Sequence, residues 1–521
     1  MRKLIVIGID GLTFDLLDPL IAKGELKLFK KWKEEGCYGR LQSTTPALTP
    51  PAWNSSFTGV NPGKHNIFDF FTFDKNLKKQ KVITSKERKY PAFWEICSRN
   101  GISLGLYNIP CNYPADKING FLVTGMATPK DSRGFAYPEE LENNLKNEFK
   151  KRFGSNTLFL EQGKRKTFLE DIYSVTAKDE EIALSLFNKR KPDISMFVYD
   201  ESDRVFHFYY HDYDETHPSH DPESEFKNAI PQYLKRIEEG IEKFLSNDEG
   251  DVDLIIYSDH GFGPLYRDIY VNNLLFRWGY LKVNCYAKEM AKKPLWKKTL
   301  KILIPPQLRK IFREKIKSSP LSNPLAFIDF ENSQAFYSSV SGRSIIILDE
   351  DKREKIALDL KNRLESYVDE KTKIKPFKKV YLREEIYKGD FVENAPDIII
   401  EEDGRYAFKT EWNDEVLKDS SQYNVLKSGS HRKDGVLILY GNSFKKGIVI
   451  KNATVMDICP TILHLSNLPT GEEMDGRILL ETLVETKELK KVSYKNLRES
   501  SNLSDFDEEA IKERLKSLGY M

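Results

Sequence analysis

Short runs of apolar, mostly β-branched residues recur along this chain of 521 residues, separated by stretches with helical periodicity. The runs are apolar at consecutive positions, which is typical of strands buried on both faces of a parallel sheet. They cover residues 4–7, 102–107, 194–199, 254–257, 345–348, 398–400 and 436–440. Helices are expected between them, at 138–152, 177–188, 225–245 and 351–368. This alternation predicts an α/β fold, an open, doubly wound, mostly parallel sheet with helices on both faces.

The composition excludes several classes of protein. A net charge of +2 with 31% charged residues indicates a soluble globular chain, so no nucleic-acid partner is expected. Residues 1–20 lack a signal-peptide cleavage site and no apolar run reaches membrane-spanning length, so a cytoplasmic location is expected. The five cysteines are scattered and lack CxxC spacing, which indicates neither a disulfide framework nor a thiolate metal site.

Two segments depart from the alternation of strands and helices. Residues 286–325 form a basic insert, with eleven Lys or Arg between 288 and 317 and Trp296 and several leucines among them. We favour a helical lid on a catalytic domain at 1–484, and 288–317 is also a candidate for contact with an anionic membrane surface. Residues 485–521 are expected to be a C-terminal tail that includes a short helix.

Carboxylates and imidazoles adjoin four of the predicted strands. Because ligands of open α/β sheets lie outside the carboxyl ends of strands, we expect these side chains to converge there. Each alone is typical of a helix cap or a hydrogen-bonded surface residue. Together they suit Zn²⁺ or Mn²⁺, and six donors fit two ions that share a substrate. The six are Asp10, Asp203, His207, Asp259, His260 and His431.

The same residues lie in motifs that resemble a known family. In chain order the motifs are "GIDG", "TPPAW…TGVNPGKH", "DRVFH", "SDHGFGP", "GSHRKDG" and "DICPTILHLSNLPTGEEMDG", between residue 4 and about residue 480. They resemble the alkaline phosphatase superfamily, and within it the type I phosphodiesterase/nucleotide pyrophosphatase-like proteins. The resemblance implies one metal site of Asp10, Thr49, Asp259 and His260, and another of Asp203, His207 and His431.

The resemblance also implies a nucleophile. Thr49 stands ten residues before Gly59, the family's spacing for the attacking hydroxyl, whereas Thr44 and Thr45 do not. Prolines 50 and 51 predict a helix start whose free N–H groups favour phosphate. The chain departs from the family's "HGIxxN" motif, with Asn66 at the glycine and Phe70 at the asparagine. Phe70 is expected to offer an apolar wall in place of a polar contact.

These residues predict a metal-dependent hydrolase of phosphodiester bonds that forms a phosphothreonine intermediate. Two divalent ions are expected, with Zn²⁺ favoured and Mn²⁺ left open, and the substrate is a small-molecule or lipid-linked phosphoester. The first basic residue after Thr49 is Lys64, fifteen positions on, which favours a monoanionic diester over a dianionic monoester. Arg432 and Lys433 follow His431 and could also supply positive charge. The alternatives are a phosphomonoesterase, a phosphomutase or phosphotransferase of the same superfamily, and a non-catalytic binding protein.

Overall fold

The computed structural model describes residues 3–76, 78–129, 132–152, 164–246, 251–284, 325–338, 343–413, 415–419, 427–498 and 508–517. Its strands are β1 (Lys3–Ile9), β2 (Cys37–Gln42), β3 (Phe71–Asp74), β4 (Lys79–Val82), β5 (Leu104–Ile109), β6 (Gly120–Thr124), β7 (Ala136–Tyr137), β8 (Ile194–Tyr199), β9 (Val252–Tyr257), β10 (Gly261–Pro264), β11 (Arg267–Tyr270), β12 (Ala335–Tyr337), β13 (Ser344–Ile347), β14 (Phe377–Leu382), β15 (Ile398–Glu402), β16 (Tyr406–Lys409), β17 (Leu417–Asp419), β18 (Gly429–Arg432), β19 (Asp434–Tyr440), β20 (Ile448–Val449), β21 (Ala453–Thr454), β22 (Thr470–Gly471) and β23 (Lys491–Val492). Its helices, 3₁₀ turns aside, are α1 (Phe14–Ala22), α2 (Lys27–Glu35), α3 (Thr49–Thr58), α4 (Pro62–His65), α5 (Phe93–Arg99), α6 (Glu139–Arg152), α7 (Arg165–Arg190), α8 (Glu201–Tyr213), α9 (Ala229–Ser246), α10 (Val271–Arg277), α11 (Arg353–Ser366), α12 (Arg383–Ile386), α13 (Ile458–Leu465) and α14 (Glu508–Ser517).

The largest sheet has ten strands, with β1 near its centre. The strand order is β20-β2-β19-β9-β1-β8-β5-β6-β7, and β21 also pairs with β2. Strands β9, β1, β8, β5 and β6 run parallel. Strand β19 is antiparallel to both of its neighbours, β2 and β9, so the prediction that the run at 436–440 is a parallel strand is wrong. The predicted open, mostly parallel α/β sheet is confirmed.

Alternate residues of β1 face two different layers of helices, which explains why the strand is apolar throughout. Ile5, Ile7 and Ile9 belong to a core that also contains residues of α1, α2, α7 and α9. Leu4 and Val6 belong to a second core, formed with α3, α5 and α13. Each fully buried side chain of this size contributes about 1.5–3 kcal/mol to folding.

A second sheet of four strands, in the order β12-β13-β15-β14, is antiparallel throughout. It contains the runs at 345–348 and 398–400, so the prediction that these two runs are parallel strands is wrong. Helix α11 covers this sheet with Ile356, Leu360 and Leu364. An apolar run shows that both faces of a strand are buried, but it carries no information about the direction of the neighbouring strands.

The C-terminal tail packs on earlier parts of the chain. Arg498 donates to Glu95 at 2.9 Å and to the carbonyl of Ser85 at 2.8 Å. Helix α14 places Ile511 and Leu515 in one apolar cluster with Phe70. The insert at 286–325, including the candidate membrane segment 288–317, lies outside the described residues except for its last position. None of the helices described here is long and apolar enough to cross a membrane.

Candidate active site

Thr49 is the first residue of α3, as the sequence predicts, and its side chain is fully buried. The preceding residue, Leu48, is extended, and Pro50 and Pro51 fill the first turn, where the preset φ of proline favours a helix start. These prolines have no N–H group, and the Ala52 N–H donates to the Leu48 carbonyl at 3.0 Å. The helix start therefore offers at most the Thr49 amide to a phosphate, and the expectation of several free N–H groups is wrong.

The first donor group surrounds Nε2 of His260, which follows β9. Oδ1 of Asp10 and Oδ2 of Asp259 each lie 3.3 Å from this nitrogen, and Oγ1 of Thr49 lies 3.4 Å from it. Both carboxylate oxygens are buried, and neither has a hydrogen-bond partner among the described residues. Zn²⁺ bound at roughly 2.0–2.1 Å would hold tetrahedral donors about 3.3–3.4 Å apart. The spacing and the unpaired oxygens therefore fit a divalent cation.

Both carboxylates are oriented by a donor on their other oxygen. The indole N–H of Trp53 donates to Oδ2 of Asp10 at 3.1 Å, and the Gly11 amide donates to Oδ1 of Asp259 at 3.3 Å. Gly8 lets α3 lie close to β1, since a Cβ at Gly8 would be 2.5 Å from Cη2 of Trp53. Ligand partners of this kind hold the orientation of metal-binding side chains.

The second donor group is formed by Asp203 and His207 on α8 and by His431 on β18. Nε2 of His431 lies 3.1 Å from Oδ1 of Asp203 and 3.2 Å from Nε2 of His207. Nε2 of His207 lies 3.4 Å from Oδ2 of Asp203. Strand β18 reaches this place by pairing with β10, where His431 is opposite Phe262.

The two donor groups adjoin each other through Asp203. Donor atoms of Asp203, His207 and His431 lie within 4.8 Å of one another, and so do donor atoms of Asp10, Asp203 and His260. The rings of His260 and His431 stack with their centroids 3.8 Å apart. The structure thus brings together all seven side chains that the sequence singles out.

Backbone carbonyls fix the orientation of the three imidazoles. Nδ1 of His207 lies 2.8 Å from the Gly429 carbonyl, and Nδ1 of His260 lies 3.1 Å from the Gly261 carbonyl. Nδ1 of His431 lies 3.1 Å from the carbonyl of Ala47. A carbonyl only accepts, so each Nδ1 carries the proton and each Nε2 presents a lone pair to the donor group.

Burial governs the protonation of these groups. It raises the pKa of Asp10 and Asp259 well above the usual range, and neighbouring carboxylates add to the effect. Burial acts to raise the pKa of Asp203 as well, but the imidazoles of His207 and His431 lower it overall. Burial lowers the pKa of His207 to about 3. Buried carboxylates beside neutral imidazoles form a site that a cation would stabilise.

Of three further residues near the site, Arg343 and Lys427 carry no recognisable signal in the sequence, whereas Lys433 follows His431 and is a candidate source of positive charge. Arg343 lies directly before β13. It donates to the Ala47 carbonyl at 3.0 Å and pairs with Glu402 at 2.6 Å. The positive charge of Lys427 acts on His207 and is offset by Asp203. Lys433 donates to Oγ1 of Thr45 at 3.1 Å. These contacts depend on how separate parts of the chain pack, so no local motif predicts them.

Other residues weighed from the sequence have structural partners. Lys64 donates to Oδ1 of Asp475 and to the Glu473 carbonyl, both at 2.6 Å. Asn66 adopts a φ of +68° at the end of α4, a conformation that asparagine tolerates better than most residues. Phe70 is buried in the cluster with α14, so its ring is covered by the protein's own tail.

Three histidines between residues 211 and 220, outside the two donor groups, bond mainly to backbone and hydroxyl groups. Nδ1 of His211 lies 2.8 Å from Oγ of Ser428, and Nδ1 of His220 lies 3.0 Å from the carbonyl of His211. Nε2 of His217 lies 2.9 Å from the Leu265 carbonyl. Nδ1 of His217 also accepts from the Ser219 amide at 3.1 Å, and these contacts agree with a structural role for the three histidines.

A family model described as type I phosphodiesterase/nucleotide pyrophosphatase matches residues 4–434, a span that contains all seven side chains. This chain belongs to the type I phosphodiesterase/nucleotide pyrophosphatase family. It is therefore a phosphoester hydrolase, and the family assignment agrees with the candidate metal-binding groups at the sheet edge.

Solved structures of other hydrolases share the fold of this family member. Human ectonucleotide pyrophosphatase/phosphodiesterase 5 aligns with a TM-score of 0.53 at 13% identity, over 93% of this chain and 100% of that chain. Phosphonoacetate hydrolase from Sinorhizobium meliloti 1021, in complex with phosphonoformate, aligns with a TM-score of 0.51 at 14% identity, over 88% and 94%. Inactive murine ectonucleotide pyrophosphatase/phosphodiesterase 5, in complex with AMP, aligns with a TM-score of 0.51 at 14% identity, over 90% and 96%. No curated protein has a sequence significantly similar to this chain.

Proposed function

We propose that this family member hydrolyses phosphodiester bonds at a two-metal site, with Thr49 as the nucleophile. The observation that carries the proposal is the pair of adjoining donor groups, one of which includes Oγ1 of Thr49, 3.4 Å from Nε2 of His260. A hydroxyl at this position would share a cation with the carboxylates of Asp10 and Asp259.

The donor types suit Zn²⁺, although Mn²⁺ also accepts mixed imidazole and carboxylate ligands. When bound, two such ions lower the pKa of the nucleophile's hydroxyl and neutralise charge on the phosphoryl oxygens. One ion would be held by Asp10, Thr49, Asp259 and His260, and the other by Asp203, His207 and His431.

Thr49 would act in two chemical steps. In the first, its Oγ1 forms a bond to phosphorus while the bond from phosphorus to the leaving oxygen breaks, and the hydroxyl proton ends on the released alcohol. In the second, a water oxygen forms a bond to phosphorus while the bond from phosphorus to Oγ1 breaks, a proton of the water restores the Thr49 hydroxyl, and the phosphate monoester is released. Thr49 is the first residue of a buried helix that packs on β1. The position of its side chain relative to the donor groups would therefore be fixed before substrate binds.

A diester is favoured over a monoester because the positive charges of Lys64, Arg343 and Lys427 are already offset. Lys64 is held by Asp475, and Arg343 is held by Glu402. Burial lowers the pKa of Lys427 to about 8, and its charge is offset by Asp203. A dianionic monoester would call for an additional cationic clamp, whereas two ions neutralise a monoanionic diester unaided.

Two measurements test the proposal. Methyl 4-nitrophenyl phosphate should be hydrolysed with a higher kcat/KM than 4-nitrophenyl phosphate at one pH and metal loading. A monoester preference of tenfold or more would instead support a phosphatase or phosphotransferase of the same family. Thr49→Ala should abolish turnover and Thr49→Ser should keep part of it, and acid-quenched enzyme should carry phosphate on the peptide that contains Thr49. Normal turnover by Thr49→Ala would exclude the phosphothreonine intermediate.

A further inference from the structure

A cavity of about 440 Å³ adjoins the second donor group. It is lined by residues 44–47, 401–405 and 431–433, together with Pro264 and Lys378. His431 and Ala47 both contribute to its wall, and Ala47 is two residues before Thr49. Two other cavities, one beside Leu4 and one beside Asn66, include none of the seven site residues. A substrate bound at Thr49 therefore has room for a further group on the His431 side.

The carboxylates of this cavity are all paired. Glu401 accepts from Lys378 at 2.9 Å, and Asp403 accepts from Arg405 at 2.6 Å. Glu402 pairs with Arg343, which reaches it from outside the cavity wall. A paired carboxylate repels an incoming anion much less than a free one, so these three acids do not make the cavity a cation site.

Two cations of the wall form no ion pair with a described residue. Arg432 donates to the carbonyls of Ser430 and His431. Lys433 is half-buried, and its Nζ donates to Oγ1 of Thr45 at 3.1 Å. An ammonium group has three N–H donors, so Lys433 keeps donors beyond this bond, and the Thr45 hydroxyl can donate its own proton. The cavity thus combines surplus positive charge with hydrogen-bond donors from two side chains.

We propose that this cavity binds a second anionic group of the substrate, a carboxylate or a phosphoryl group carried by the leaving group. Lys433 and the Thr45 hydroxyl donate hydrogen bonds to it, and Arg432 adds positive charge. The assignment rests on the proposed function and narrows its substrate class to diesters whose leaving group is anionic. The cavity is assigned to the leaving group because it is lined by His431 of the second donor group and by none of Asp10, Thr49, Asp259 and His260, and a leaving group departs on the side opposite Thr49.

The test compares two diesters that share one scissile bond. One is methyl 4-carboxyphenyl phosphate, and in the other an uncharged carboxamide replaces the 4-carboxylate. The enzyme should favour the carboxylate about tenfold in kcat/KM, the low end for a hydrogen bond to a charged group at a half-exposed site. Lys433→Met should reduce this preference to less than twofold, and Lys433→Arg should keep most of it. Thr45→Val should give an intermediate loss, and Thr45→Ser should restore the preference. A 4-phosphono analogue shows which of the two anionic groups the cavity prefers.

Lys445→Met is the matched control, because Lys445 also donates one hydrogen bond to an uncharged oxygen, the Glu481 carbonyl at 3.1 Å. It is an exposed residue that does not line the cavity, so its substitution should leave the substrate preference unchanged. Equal kcat/KM for both substrates, or an undiminished carboxylate preference in Lys433→Met, would overturn the assignment of the cavity. Failure to hydrolyse either diester would contradict the proposed function itself, so the two failures are distinguishable.

Discussion

Replacing Trp53 by phenylalanine should weaken metal binding although it removes no donor atom. The indole N–H of Trp53 holds Oδ2 of Asp10 at 3.1 Å, which aims Oδ1 of the same carboxylate at the first donor group. Loss of such a partner typically costs about 10–100-fold in metal affinity. We therefore expect the dissociation constant of the first ion to rise within that range, equivalent to about 1.4–2.7 kcal/mol.

The same substitution also disturbs the core. The Trp53 ring is fully buried, with its centroid 5.2 Å from that of Tyr257 and 5.7 Å from that of Phe57. Phenylalanine leaves part of this volume empty and leaves Oδ2 of Asp10 without its donor, so a loss of about 1–3 kcal/mol in stability is expected. Metal affinity and stability must therefore be measured separately.

Trp94→Phe provides the matched control. Trp94 is also fully buried, and its indole N–H donates to Oδ2 of Asp116 at 3.0 Å, away from the seven site residues. It should lower the free energy of unfolding by a similar amount but leave metal affinity unchanged. Affinity is measured by competition with a chromophoric chelator, and stability from urea unfolding. If Trp53→Phe binds metal like the unmodified protein, or if Trp94→Phe loses as much affinity, the orienting role of Trp53 is refuted.

Three further predictions concern a buried ion pair, a buried histidine and metal content. Arg343→Met should lower the free energy of unfolding by about 3 kcal/mol, because Glu402 then keeps a buried unpaired charge. The double variant that also carries Glu402→Gln should recover at least half of this loss. Equal urea midpoints for the single and double variants would contradict the prediction. Burial holds the pKa of His65 at about 3, with help from the charge of Arg88, so its contribution to stability is present above pH 6.5 and falls as the pH drops toward 3. Between pH 7.5 and pH 5 this loss is about 2 kcal/mol, and His65→Gln should show a correspondingly shallower decline in stability over that interval. The purified protein should contain close to two divalent ions per chain by elemental analysis, and full turnover after exhaustive chelation would exclude the metal site.

The placement of the metal-binding candidates follows from local sequence. Asp10 and Asp259 come directly after apolar runs, and the carboxyl ends of parallel strands meet at one edge of a sheet. Asp203 and His207 are four residues apart on a helix, so they face the same side. For such residues, position along the chain and the rules of the fold are enough to predict that they come together.

The contacts that orient these residues could not be predicted in this way. Trp53 is separated from Asp10 by 43 positions, and Arg343 is separated from Ala47 by 296. The Arg343 contact depends on where the antiparallel second sheet docks, and the strand direction of that sheet is not encoded in its apolar runs. The covering of Phe70 by α14 likewise depends on the path of the C-terminal tail. All three contacts depend on tertiary packing.

The position of β19 in the large sheet affects how the chain folds during synthesis. Among the described strands, β2 is linked to β9 only through β19, with Cys37 paired to Leu439. A nascent chain that has not reached residue 434 must therefore hold β2 without its partner and expose the edge of β9, an arrangement that favours aggregation. His431 lies three residues before β19, so the segment that closes the sheet also completes the second donor group. Closure of the sheet and capture of the second ion should thus be a single late event of synthesis, and ribosome-bound chains should gain full metal-dependent protease resistance only after β19 has left the exit tunnel.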